Sequence, residues 1–218
     1  MRSAPLVVWA IVVAAGRGSR FGRPKQFESL AGRRVLDWSV EAAHSVADGI
    51  VLVVPDPAPG PVPAAGGWAH VTVVGGATRA ASVRAGLAVV PGDAEIIVIH
   101  DAARPLATPA LFKAVVDAVA SGADGAVPGV ALVDTIKRVV GGQVVQTLDR
   151  ASLVGVQTPQ AFRAGWLRTA HRGEAEGTDD SSLVEAVGGN VVVVPGQPAN
   201  IKLTVDADLA VAETLLQR

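Results

Sequence analysis

The sequence of 218 residues predicts an α/β fold, a mainly parallel sheet with helices on both faces. Short β-branched runs alternate with segments of helical period along most of the chain. Half of the residues are hydrophobic, enough for a well-buried core in one domain. The first apolar run empties into a glycine-rich, basic loop, the arrangement that places a ligand loop at the carboxyl end of a parallel strand.

Taken in order, residues 6–15 are apolar and read as a buried strand. Residues 34–46 have a helical period, with Val35, Trp38, Ser39, Ala42 and Val46 on one face. Residues 50–54 form a second strand. Residues 55–67, rich in Pro, Gly and Ala, read as a loop or frayed helix without chemistry. A third strand at 70–74 ends at Gly75-Gly76, a helix follows at 78–90, and a fourth strand at 95–99 delivers His100-Asp101. Thr108-Pro109 is a capping hydroxyl followed by proline, and starts a helix that runs to about Ser121. The regularity changes after Gly125. Residues 134–138 and 143–148 are two strand-like runs about a Gly141-Gly142 hairpin signal, a β excursion at about 130–152. Residues 163–172 and 180–187 then read as helices, 190–194 as a strand and 206–217 as a closing helix. The excursion is too small for a second domain, so residues 1–218 read as one.

A net charge of −1 argues against a nucleic-acid binder. The absence of cysteine excludes disulfides, thiolate metal sites and cysteine nucleophiles, and fits a cytoplasmic protein. Residues 6–15 are too short to span a bilayer, and the basic loop after them speaks for a core strand, so no membrane association is expected. His44, His70, His100 and His171 lack metal-ligand spacing, and His44 and His171 are expected at the surface or half-buried.

The loop runs Ala14-Ala15-Gly16-Arg17-Gly18-Ser19-Arg20-Phe21-Gly22-Arg23-Pro24-Lys25. Its glycines permit tight turns and close ligand approach, and Arg17, Arg20, Arg23 and Lys25 favour an anion. Phe21 occupies the position where a Walker A loop or a dinucleotide fingerprint needs its next glycine, so both fail. On its own the loop is equally a phosphate cradle or a surface turn with solvated arginines. Two more groups fall at strand ends: Gly75-Gly76, with Ser82 in the helix that follows, and Asp101 to Arg104. An aspartate at a strand tip can hold Mg²⁺ and an arginine beside it can fork onto phosphate, though an Asp101–Arg104 ion pair is the simpler reading of that run alone.

Ala-Ala-Gly-x-Gly-x-Arg followed by Pro-Lys-Gln resembles the nucleotide-binding signature of sugar-phosphate nucleotidyltransferases, a Rossmann-like fold. With His100-Asp101-Ala102-Ala103-Arg104-Pro105, Asp134 to Arg138, Asp149-Arg150, Thr158-Pro159-Gln160, Thr178-Asp179-Asp180-Ser181 and Asn200 to Thr204, nearly the whole chain resembles the 2-C-methyl-D-erythritol 4-phosphate cytidylyltransferase family. That resemblance implies transfer of CMP from CTP to methylerythritol 4-phosphate, with Mg²⁺ as cofactor. It implies that Arg20, Lys25, Arg150 and Lys202 are catalytic. Ala14, Ala15, Gly16, Gly18, Gly76, Ser82, Asp101 and Ala102 would hold the nucleotide. Asp101, Arg104, Thr135, Arg150, Thr178 and Lys202 would hold the acceptor, and Asp101 the metal. It further implies a homodimer in which the β-hairpin is a dimerisation arm exchanged between subunits, so that Thr135 and Arg150 serve the neighbour's site. A ribitol-5-phosphate cytidylyltransferase and a non-catalytic nucleotide-sugar-binding protein share the scaffold and are the alternatives.

Overall fold

The structure, a computed structural model, describes residues 6–16, 18, 21–59 and 69–217. Its elements in chain order are β1 (Val8–Val13), β2 (Ser29–Leu30), β3 (Arg33–Arg34), α1 (Val35–His44), β4 (Gly49–Val54), β5 (Val71–Val74), α2 (Arg79–Leu87), β6 (Ile96–Asp101), α3 (Pro109–Ala120), β7 (Gly125–Ala131), β8 (Lys137–Val140), β9 (Gln143–Thr147), β10 (Val154–Val156), β11 (Gln160–Arg163), α4 (Ala164–Ala170), α5 (Asp180–Ala186), β12 (Val191–Pro195) and α6 (Ala207–Leu216).

β5, β4, β1 and β6 lie side by side and run parallel. β11 joins β6 antiparallel, β7 pairs antiparallel with β11 and β10, and β12 closes the far edge parallel to β7. Six of the eight strands therefore point one way, as the alternating pattern predicts for a Rossmann-like sheet. Successive residues of a strand face opposite sides. Ala10, Val12, Leu52 and Val98 accordingly pack under α1 and α3, against Leu36, Val40, Phe112 and Val115. Ile11, Val51, Val53, Ile97 and Ile99 pack under α2, α4 and α5, against Val83, Leu167 and Val184. With both faces covered, these strands are apolar without alternation, which is why the sequence shows them as continuous runs.

The second half departs from the expectation. β7, β10 and β11 lie in stretches where no strand is anticipated. Gly125, Pro128 and Gly129 break the β-branched signal of β7, and β10 and β11 are three and four residues long. The excursion itself is a hairpin, β8–β9, joined at Gly141 and Gly142 with φ of 56° and 79°, the left-handed pair that a tight hairpin turn requires. Its first strand begins at Lys137, so Thr135 precedes the hairpin ladder. The hairpin pairs with itself alone among the described residues, and every residue of its strands is exposed. No helix among the described residues is long and apolar enough to cross a membrane. His171 corrects an expectation: it is buried, 5 % exposed, because it closes α4 against Asp180.

Candidate active site

Three strand ends meet at one rim. Backbone N–H groups of Ala14, Gly75 and Ala102 donate to Val53, Val54 and Val13, so the segments leaving β1, β5 and β6 start side by side. The glycine loop then folds back on itself. Phe21 and Gly22 both donate to the Gly18 carbonyl, and Gly18 has a φ of +66° with the Arg23 carbonyl standing where a Cβ would go, so only glycine fits. Gln26, 3 % exposed, donates its amide to the Ala14 carbonyl and, at 2.8 Å, to that of Gly16, which fixes the mouth of the loop. On the opposite wall Thr78 caps α2 by accepting from Ala81 N–H at 3.0 Å. Ser82 accepts from Gly76 N–H at 3.2 Å and donates to the Thr78 carbonyl at 2.9 Å, which holds the β5–α2 turn.

Between these walls lies a cavity of about 440 Å³. Its sides are Ala14, Ala15, Gly16, Gly18, Gly76 and Ala77, residues too small to keep a ligand off the backbone. Its charged groups are Lys25, Arg79, Asp101 and Lys202. Asp101 is the only carboxylate lining it among the described residues, so the cavity holds an excess of positive charge. Such a lining suits a multiply charged phosphate ester.

Both oxygens of Asp101 are engaged. Arg79 Nε donates to Oδ1 at 3.0 Å, and Lys202 Nζ to Oδ2 at 2.6 Å. Burial opposes ionisation of Asp101, but the two cations outweigh it and hold the carboxyl well below the usual carboxylate range. Burial also works against the charged form of Arg79, and Asp101 and Asp180 overcome it and raise the guanidinium further. Behind Asp101, the Thr158 hydroxyl accepts from Asp101 N–H and shares a hydrogen bond with His100 Nδ1, each at 3.1 Å. His100 has no exposed surface, and burial pushes it down to about 3, with Arg104 and Arg79 adding to the push. It is therefore a neutral ring that braces the strand tip, against Phe112 at 4.9 Å.

The structure sorts the expected site residues. Ala14, Ala15, Gly16, Gly18, Gly76 and Ser82 line the cavity with Lys25, Asp101 and Lys202. Ala102 is wholly buried behind it, and Ala103 lines it in its place. Arg104 makes no ion pair with Asp101. Its Nη1 donates to the Asn200 carbonyl at 2.7 Å, which ties the β6 tip to the strap that carries Lys202. Arg23, one of the four loop cations, faces away and pairs with Glu28 and Asp206 at 2.9 Å. Thr178 is exposed on the segment before α5, and that segment is fastened to α2 through Glu176, which accepts from Thr78 at 2.8 Å and pairs with Arg84. Thr135 and Arg150 belong to the exposed arm and do not line this cavity, and Arg150 donates to the Val133 carbonyl. Arg20 lies outside the described residues, as do Arg17 and Ser19.

Arg79 and Gln26 are absent from the expected site residues, although Gln26 ends the Pro-Lys-Gln run. Arg79 left a signal: it is the first residue of a helix, where the macrodipole disfavours a cation, and such a misplacement asks for a carboxylate elsewhere. No group of three or more His, Asp or Glu residues able to hold a metal occurs among the described residues. One ionised carboxylate, Asp101, beside a cation-lined cavity fits Mg²⁺, which binds through one or two carboxylates together with substrate phosphates and water.

The family model described as IspD, 2-C-methyl-D-erythritol 4-phosphate cytidylyltransferase, matches residues 8–218. The 2-C-methyl-D-erythritol 4-phosphate cytidylyltransferase of Rubrobacter xylanophilus is 44% identical over 216 residues, which cover 95% of this chain and 94% of that one. A bifunctional enzyme IspD/IspF of Clavibacter michiganensis is 43% identical over 221 residues, and there the chain, 95% covered, spans about half, 54%, of the relative's length. Among solved structures, the crystal structure of 2-C-methyl-D-erythritol 4-phosphate cytidylyltransferase from Thermus thermophilus superposes with a TM-score of 0.80 at 33% identity, covering 95% of this chain and 98% of that one.

Proposed function

The chain belongs to the IspD family, the 2-C-methyl-D-erythritol 4-phosphate cytidylyltransferases, and from that premise we propose that it transfers CMP from CTP to 2-C-methyl-D-erythritol 4-phosphate. A phosphate oxygen of the acceptor attacks the α-phosphorus of CTP, the bond from that phosphorus to the bridging oxygen breaks, and pyrophosphate leaves. The names of the relatives favour this acceptor over ribitol 5-phosphate, and an enzyme over a binding protein without activity.

The observation that carries the reading is the meeting of Lys25 with the Arg79–Asp101–Lys202 cluster in one cavity whose walls are largely glycine and alanine. Little covalent work is asked of the protein in such a transfer. Positioning and charge stabilisation dominate. The small residues of the two loops let backbone groups approach the nucleotide. Lys25, with Arg20 of the same loop, meets the negative charge that builds on the transferring and leaving phosphates. Asp101 and Lys202 hold the acceptor, together with Arg104 and Thr178. Asp101 is the residue that would hold Mg²⁺, which would supply neutralisation of charge on the leaving group.

The arm completes the site from a second subunit in this reading. Val133 is 81 % exposed, and Val139, Val140, Val144 and Val145 are exposed on the hairpin. A lone two-stranded hairpin is marginal in water, and an apolar surface of this kind calls for a partner. A two-fold dimer with exchanged arms supplies one and brings Thr135 and Arg150 to the neighbour's cavity.

A pyrophosphate-release assay that crosses CTP, UTP, ATP and GTP with both acceptors tests the reading. Turnover is expected with CTP and methylerythritol 4-phosphate, to vanish with a chelator, and to return with Mg²⁺. Equal turnover with UTP, or a preference for ribitol 5-phosphate, refutes it.

A further inference from the structure

We propose that Asp180 is a positioning residue of this site, acting through Arg79 on the Asp101–Lys202 pair. Two adjacent acids, Asp179 and Asp180, precede and begin α5, and they divide the work unequally. Asp179 does all the capping. Its Oδ1 accepts from Ser182 N–H at 3.0 Å, and its Oδ2 accepts from Gln160 and Ser181 at 2.8 Å each. Asp180 takes no part in the cap. Its side chain is only 1% exposed, yet it does not line the cavity. A buried carboxylate is costly unless it is paired, and the partners of Asp180 are specific. Oδ2 lies 2.7 Å from Arg79 Nη1, and Oδ1 lies 3.0 Å from His171 Nε2.

The chain of contacts therefore runs from His171 through Asp180 and Arg79 to Asp101 and Lys202. Its geometry gives Asp180 a task. The guanidinium is a rigid fork that prefers both oxygens of one carboxylate. Here Nε donates to Asp101 Oδ1, Nη1 is held by Asp180, and Nη2, the arm beside Nε, is buried without a hydrogen-bond partner among the described residues. Asp180 thus fixes the guanidinium in an orientation that keeps Nη2 off Asp101 and leaves Oδ2 to Lys202. Without the charge of Asp180, the guanidinium turns so that Nε and Nη2 close on Asp101 together, and Nη2 competes with Lys202 for Oδ2. The acceptor-holding pair is then mispositioned, although neither of its members has changed.

This inference rests on the reading that Asp101 and Lys202 hold the acceptor. Asp180→Asn preserves shape, its amide oxygen can still accept from Arg79, and its NH2 can donate to His171 Nε2 once the ring carries its proton on Nδ1, so a role in packing alone predicts wild-type kinetics. The expected result is a folded protein with kcat/KM for methylerythritol 4-phosphate reduced by about tenfold or more, and KM for CTP changed by less than about threefold. In Arg79→Gln the same substitution should add little, because the two residues act as one unit. Wild-type kinetics in Asp180→Asn, a loss confined to CTP, or losses that multiply in the double variant would each overturn the proposal. Should Asp180→Asn not fold, Arg79→Lys takes its place: it keeps the charge but cannot span both carboxylates, and the same acceptor-side loss is expected of it, wild-type kinetics again refuting the idea. An inactive wild-type protein sinks the acceptor reading and the inference with it. An active wild type beside an unaffected variant sinks the inference alone.

Discussion

His100 makes an acid-sensitive brace, and the size of its effect can be worked out. The ring has no exposed surface, and its folded-state pKa is lowered from 6.5 to about 3. A proton therefore binds the unfolded chain before the folded one. Stability attached to this residue is fully present above the unfolded value and is lost as pH falls from there toward the folded value. At about 1.4 kcal/mol per unit, the fall from 6.5 to about pH 5 removes about 2 kcal/mol. For a protein of this size that is a drop in Tm of roughly 4–8 °C. The lowered carboxyls of Asp101 and Asp179 act in the same direction, but their window lies below their ordinary value of 3.8, so they do not contribute above about pH 5. Urea unfolding of metal-free protein at about pH 7.5 and pH 5 measures the slope. The comparison is His100→Asn, whose side-chain amide can take either role in a hydrogen bond with the Thr158 hydroxyl. The variant loses ring packing on Phe112 and is less stable throughout, but its stability should fall by about 2 kcal/mol less over that interval. Comparing two proteins cancels the contribution of the other histidines. Parallel curves for the two proteins would refute the claim that burial keeps His100 neutral.

Two further predictions concern the site itself. Lys25→Ala and Arg150→Ala should each lose about a hundredfold or more in kcat, yet a mixture unfolded and refolded together should recover about a quarter of wild-type activity, because one site of each mixed dimer carries neither lesion. A mixture that stays inactive while mixed dimers are shown to form by mass spectrometry would assign the arm to its own subunit. Gly16→Ala should leave Tm unchanged, since a Cβ there meets nothing within 4 Å, but should raise KM for CTP by about tenfold if the nucleotide lies against that backbone. Unchanged nucleotide binding would remove Gly16 from the wall.

What can be read from the chain, and what cannot, divides along physical lines. β1, β4 and β6 are buried on both faces, so their local composition alone betrays them. β7 is equally central, pairing with β10, β11 and β12, but its Gly125 and Gly129 leave room for neighbours: a Cβ on Gly125 would meet Phe162 at 2.6 Å, and one on Gly129 would meet Val193 at 2.6 Å. The residues that make this strand fit the sheet are the ones that erase its strand signal. The site divides in the same way. Gly16, Gly18 and Asp101 stand at the ends of legible strands, and local pattern reaches them. Asp101 owes its charge state to Arg79 and Lys202, and Lys202 is 101 positions away. An Asp101–Arg104 pair is the economical expectation because the two are close in sequence, and it fails because the fold offers better-placed cations to Asp101 and a carbonyl to Arg104. His171 is misplaced toward the surface for the same kind of reason: a histidine at the end of a helix looks peripheral until Asp180 is seen to cover it. Charge pairing across the sheet is thus the least legible layer of this protein, and it is also the layer that sets the ionisation of Asp101 in the cavity. Arg79 is the exception that shows how far local reasoning extends. A cation on the first turn of α2 works against the helix's own field, and that cost, visible in the sequence, points to compensating carboxylates without saying which they are.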